Sequence, residues 1–246
     1  MSTPFIVASG MLLPFIGTMS GILLVVCFHK YLTNSRLCLM NAVAAGVMAA
    51  AAVWSLLLPA ISLSDGAFRF FPAVSGFLLG CFSIHWLEKK FSSETVHSAR
   101  MLYLAVTLHN FPEGMAVGAG LAGLLCTGSV SLSAALLLSV GIAIQNIPEG
   151  GIVYAPLVSG GMSKRKAFWL SVLSGIAELA GAVITLAFSS LMVPLLPYVL
   201  SFAAGAMIYV VAEDMIPSSR NGSTAFSSLV FCLGFSLMML LDVAFG

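Results

Sequence analysis

Apolar residues run through this chain in blocks of about 20, the length that crosses the hydrocarbon core of a bilayer, and the breaks between blocks are short and polar. Eight such blocks can be laid down, over 4–28, 38–62, 70–88, 99–125, 131–158, 166–191, 195–217 and 223–245. Little chain is left over, so a single transmembrane domain over residues 1–246 is expected, without a soluble domain or a low-complexity linker. The first block has no basic stretch ahead of it and is too long for the core of a cleaved signal, so it reads as a span. Because hydrocarbon offers the backbone no water, spans of this length must satisfy their own hydrogen bonds as helices. The pattern predicts an all-α membrane protein of eight transmembrane helices.

Composition supports that reading and charge orients it. Hydrophobic residues make up 60% of the chain and charged residues 8%, a balance suited to lipid as the surrounding solvent. Lys30 and Arg36 fall between blocks one and two, Lys89, Lys90 and Arg100 between three and four, Lys164, Arg165 and Lys166 between five and six, and Arg220 between seven and eight. Arg69 alone falls on the other side. By the positive-inside rule the odd-numbered loops are cytoplasmic, so both termini face outward across a multi-pass cell membrane, the inner membrane of a bacterium. Trp86 and Trp169 then sit in an inner interfacial belt. A net charge of +1 argues against a nucleic-acid partner, and five scattered cysteines read as small hydrophobes rather than disulfides or a thiolate site.

Inside this apolar background one six-residue pattern is written twice, as His109-Asn110-Phe111-Pro112-Glu113-Gly114 and Gln145-Asn146-Ile147-Pro148-Glu149-Gly150. An ionisable residue at membrane depth is costly and marks a functional site by default. On a helix, His109, Asn110 and Glu113 lie three and four apart and project from one face. An imidazole, side-chain amides and two carboxylates converging in this way are ligands for a cation. Pro112 and Pro148 remove an amide donor and crowd the carbonyl four residues back, so a kink is expected at each motif. Gly114 and Gly150 close the motifs and allow neighbouring helices to approach.

The remaining acids extend the picture. Glu178 lies mid-span among small residues, and with Glu113 and Glu149 it makes three carboxylates with no lysine or arginine at similar depth, so bound metal or protons must neutralise them. Ala44-Ala45-Gly46-Val47-Met48 recurs as Ala203-Ala204-Gly205-Ala206-Met207, followed by Pro59 and Pro217. The two copies run in opposite directions, which suggests an inverted repeat of three spans, a central pair and three spans, a plan that places a substrate site near the midplane. From the residues alone, Met48 and Met207 read as packing groups. Asp65 and Asp242 near outer ends, with Ser55 a turn or more deeper, are candidates for an outer mouth. Glu213 and Asp214 are candidates for an inner one, since acids of one sign concentrate cations.

These motifs resemble the ZIP family of divalent metal transporters along the whole chain, and most of all its short bacterial members. The resemblance implies a 3+2+3 inverted-repeat fold, commonly a homodimer, that moves Zn²⁺ into the cytoplasm, with Cd²⁺, Fe²⁺, Co²⁺ or Mn²⁺ as further cargo and no prosthetic group. It implies two adjacent metals bridged by Glu113 and Glu149. The first would be held by Met48, His109, Glu113, Gln145 and Glu149, the second by Asn110, Glu113, Asn146, Glu149 and Glu178. Many relatives carry a histidine or a further acid where this chain has Gln145 and Asn146, so the second site is less anionic here. Two rivals stay open: a proton or sodium antiporter working through the carboxylates, and an intramembrane metalloenzyme. The second needs a closed, histidine-rich ligand set such as HExxH, and only His109 lies at membrane depth. The reading is therefore a transporter and not an enzyme.

Overall fold

The computed structural model describes residues 3–28, 33–64, 66, 68–91, 97–128, 130–219 and 224–245. Within them the chain is helical almost throughout and contains no strand. We number the long rods α1 (Thr3–Phe28), α2 (34–62), α3 (Phe70–Phe91), α4 (97–127), α5 (Leu132–Ser159), α6 (Lys164–Ala187), α7 (Ser189–Ser218) and α8 (Thr224–Phe245). Seven described helices, all but α4, are long and apolar enough to cross a membrane. The exception is the helix that carries His109, Asn110 and Glu113, whose polar groups dilute its hydropathy.

Four helix pairs make the most extensive contacts: α1 with α5, α4 with α6, α2 with α8, and α3 with α7. Each is built the same way, on a glycine of one helix set against a backbone carbonyl of the other. Gly17 and Gly21 of α1 meet the carbonyls of Ala143 and Ile147, and Gly150 of α5 meets that of Thr18. Gly114 of α4 meets the Glu178 carbonyl, and Gly181 of α6 answers on that of Phe111. Gly46 and Gly234 reciprocate between α2 and α8, as do Gly80 and Gly205 between α3 and α7. In lipid there is little hydrophobic drive for one helix to join another, so dispersion between closely approaching backbones has to hold the bundle. The motif glycines meet the close approach anticipated for them.

Lipid-facing residues complete the division. Leu79, Phe82, Leu233, Leu240 and Val243 are among many large apolar side chains left exposed, while alanines and methionines of α2 and α7 fill the centre. An apolar exterior is what a hydrocarbon solvent requires.

Helix α4 runs as α-helix from His97 to Ala122 through Pro112, and α5 continues through Pro148. The interruptions fall elsewhere. Helix α2 widens into a π turn over Ala52–Leu57 and α7 into another over Val211–Met215. Each begins four residues after the methionine of its AAGxM repeat and ends shortly before a proline. In the first, the Leu58 amide donates to the Val53 carbonyl; in the second, Ile216 donates to Val211. Pro59 and Pro217 have no amide to offer the carbonyls of Ser55 and Glu213. The wider turn redistributes the ladder around that gap, and π turns of this kind recur at functional sites. A third π turn, Gly123–Thr127, ends α4 at a glycine, Gly128, with φ of 66°.

Candidate metal centre

Midway along α4, α5 and α6 the sequence places polar groups where the surroundings are apolar, and the fold buries them together. Asn110, Glu113, Asn146, Glu149 and Glu178 are each no more than 2% exposed. Asn146 donates from Nδ2 to Glu178 Oε1 at 2.9 Å, which ties α5 to α6. Asn110 donates from Nδ2 to both the carbonyl and the hydroxyl of Ser174, each at 3.1 Å, which ties α4 to α6. Both amides thus spend their donors on α6. Their carbonyl oxygens, Asn110 Oδ1 and Asn146 Oδ1, are buried without a hydrogen-bond partner among the described residues. An acceptor left over in this way is costly in a low-dielectric interior unless a cation or water reaches it.

No lysine or arginine is buried among the described residues. Among the described residues no three His, Cys, Asp or Glu side chains form a group that could by themselves hold a metal ion. The buried polar groups are carboxylates and amides drawn from α4, α5 and α6. Such hard and intermediate donors bind a divalent ion while leaving it exchangeable. The side chains of His109 and Gln145, which belong to the anticipated first site, lie outside the described residues. Met48 is fully buried in the hydrophobic core, as are Met207 and Met215.

A cavity of about 270 Å³ lies against this centre, with Glu113 in its wall. It is lined by Glu113 and Ala116 of α4, Leu138 and Ile142 of α5, Ser55 of α2 and Asp242 of α8. Ser55, on the π turn of α2, donates its hydroxyl to Asp242 Oδ1 at 2.6 Å. Two residues chosen from sequence for an outer mouth are thus brought together, beside a cavity that a motif glutamate also lines. Asp65, the third, lies outside the described residues. Glu213 and Asp214 occupy the π turn of α7, Glu213 exposed and Asp214 half-buried.

Sequence reasoning passed over two participants. Ser174 precedes Glu178 by one helical turn on the same face of α6, and that i, i+4 spacing was the available signal. Trp54 lines the cavity and packs edge-on against Phe235 of α8, with centroids 5.5 Å apart; its position two residues inside the π turn had no sequence signature. One consequence can be checked on the purified chain. Asn110→Ala should lower stability in detergent by about 1 kcal/mol by freeing both Ser174 acceptors. Ser174→Ala should cost less, since the backbone carbonyl still accepts. Thermal unfolding followed by circular dichroism would reveal the order.

The family model described as ZIP Zinc transporter matches residues 88–242. The chain is 35% identical to Zinc transporter ZIP11 of Xenopus tropicalis, over 82% of this chain and 86% of that protein. It is 39% identical to Zinc transporter GufA of Myxococcus xanthus, over 61% of this chain and 57% of that one. With Zinc transporter ZIPB of Bordetella bronchiseptica it shares 34% identity over 61% of this chain and 47% of the other. The aligned region therefore spans about half the length of the two bacterial relatives.

Proposed function

Because the chain belongs to the ZIP zinc transporter family, we propose that it carries Zn²⁺ inward across a cell membrane through a midplane site on the HNFPEG and QNIPEG helices. The observation that carries this reading is the cavity lined by Glu113, beside buried amides whose oxygens find no donor among the described residues. Glu113 and Glu149 bridge two adjacent metal positions. Met48, His109 and Gln145 complete the first, and Asn110, Asn146 and Glu178 the second. Cations of similar ligand preference, Cd²⁺, Fe²⁺, Co²⁺ and Mn²⁺, can share the path, since geometry and availability rather than affinity decide between them.

The inverted-repeat plan is supported by the packing. Exchanging α1 with α6, α2 with α7, α3 with α8 and α4 with α5 turns the α1–α5 pair into α6–α4 and the α2–α8 pair into α7–α3. The two π turns, each behind AAGxM and ahead of proline, exchange as well. On this plan α4 is the eighth span, both termini lie outside and two chains pair. Ser55 and Asp242 then face the outer water and Glu213 and Asp214 the cytoplasm.

Uptake into proteoliposomes across these five ions, with no sodium gradient, tests the reading. Metal flux that needs sodium would return the antiporter. The mouths make separate predictions. Asp242→Asn should raise the apparent KM several-fold at low ionic strength, and less at high salt, because its effect is on local cation concentration. Glu213→Gln with Asp214→Asn should slow maximal flux and leave outer-side KM nearly unchanged. Initial rates over a zinc titration at two salt concentrations separate the two.

A further inference from the structure

We propose that the groove at the start of α6 is a binding site for one acidic glycerophospholipid. Ser163, Arg165, Lys166, Trp169, Leu170 and Leu173 line an open groove of about 420 Å³, within the ~300–1,000 Å³ range of small-ligand clefts. Its upper part is cationic and its lower part apolar. Arg165 and Lys166 are exposed and make no hydrogen bond or ion pair with another described residue. No acidic residue occurs between Glu149 and Glu178 in the sequence, so these charges and that of Lys164 have no carboxylate nearby along the chain.

The basic end of α3, on the same side of the bundle, differs. Lys90 lies over the ring of Trp86, 5.0 Å from its centroid, so there the cation and the aromatic belt satisfy one another. Arg165 and Trp169 have the same four-residue separation but no such contact. Trp169 instead meets Phe168 edge-on at 5.6 Å and remains 60% exposed. The guanidinium is therefore left to an outside anion. Ser163, at the helix N-cap, makes no side-chain capping bond, so its hydroxyl is also available.

Below the cations the same helix face continues as an exposed apolar stripe of Trp169, Leu173, Ile176 and Val183, spaced to lie along one side. A phosphate held bidentately by Arg165 and by the ammonium of Lys166 would place acyl chains along that stripe. A free phosphate has nothing to offer it. A choline headgroup would bring a fixed positive charge toward three others, so an anionic headgroup is preferred.

The test uses the purified full-length chain with equimolar phosphatidylglycerol and phosphatidylcholine, followed by native mass spectrometry. The wild type should retain phosphatidylglycerol preferentially. Arg165→Gln with Lys166→Gln should lower the retained fraction on the order of tenfold, while Lys164→Gln, outside the groove, changes it little. The swap Arg165→Lys with Lys166→Arg should keep most of the retention, which separates lost charge from lost folding. The proposal is overturned if the double glutamine variant keeps its lipid or if phosphatidylcholine is retained equally. Displacement of the lipid by millimolar inorganic phosphate would equally overturn it. So would a variant that alters the monomer–dimer balance and not the lipid count, since the groove would then be covered by a second copy.

Discussion

Replacing Glu113 or Glu149 by glutamine is expected to reduce initial zinc uptake into proteoliposomes by about 10–100-fold or more at equal protein. Losing even an outer partner of a metal ligand costs about that much, and each of these glutamates is proposed to serve two metal positions at once. The substitution is nearly isosteric, so the helix packing around Gly114 and Gly150 is preserved and the loss reports on charge. No lysine or arginine is buried among the described residues to offset or replace these charges. Glu178→Gln should be milder, because Asn146 Nδ2, which donates to Glu178 Oε1, can rotate its amide toward the new group. Near wild-type rates in either bridging variant would remove Glu113 and Glu149 from the path.

The second large effect is on assembly. A side chain at Gly114 would be driven into the Glu178 carbonyl, and one at Gly181 into that of Phe111. Both obstacles are backbone atoms, which cannot swing aside, so α4 and α6 must separate. Gly114→Val should cost on the order of 3 kcal/mol or more and leave little monodisperse protein on size-exclusion chromatography. The separation also moves Asn110 away from Ser174 and so disturbs the centre. Gly120→Ala is the control: an added methyl there meets only Leu138 Cδ2, at 3.2 Å, the end of a flexible side chain. It should express and melt nearly as the wild type. If Gly114→Val does so too, the carbonyl contact is not what holds the pair.

Much of this was legible in the sequence because the bilayer imposes strong rules. Length and hydropathy alone mark the apolar rods, and seven of them satisfy those criteria in the fold. The motif helix α4 is the exception for a readable reason: the residues that announce function are those that lower its hydropathy. Carboxylates and amides at membrane depth are costly unless something compensates them, so Asn110, Glu113, Asn146, Glu149 and Glu178 stood out, and they are found buried.

What escaped is what depends on partners between helices. Proline chemistry pointed to disturbances at Pro112 and Pro148, whereas the wider turns lie ahead of Pro59 and Pro217. A proline signals a lost amide but not how the neighbouring turn absorbs the loss. The donors on Asn110 could have gone to any adjacent helix; that Ser174 receives them depends on the register of α4 against α6, which the reciprocal contacts of Gly114 and Gly181 set. Trp54 was invisible for a similar reason, since a cavity wall is defined by the elements opposite it.

The central claim concerns which atoms hold the metal, and zinc K-edge X-ray absorption on the purified chain loaded with stoichiometric zinc addresses them directly. The account predicts a nearest shell of oxygen and nitrogen at about 2.0–2.2 Å, with no more than one thioether sulfur, supplied by Met48. That shell should be lost when Glu113 and Glu149 are both glutamine. A shell dominated by sulfur at about 2.3 Å, or a spectrum unchanged in the double variant, would place the metal elsewhere and contradict it.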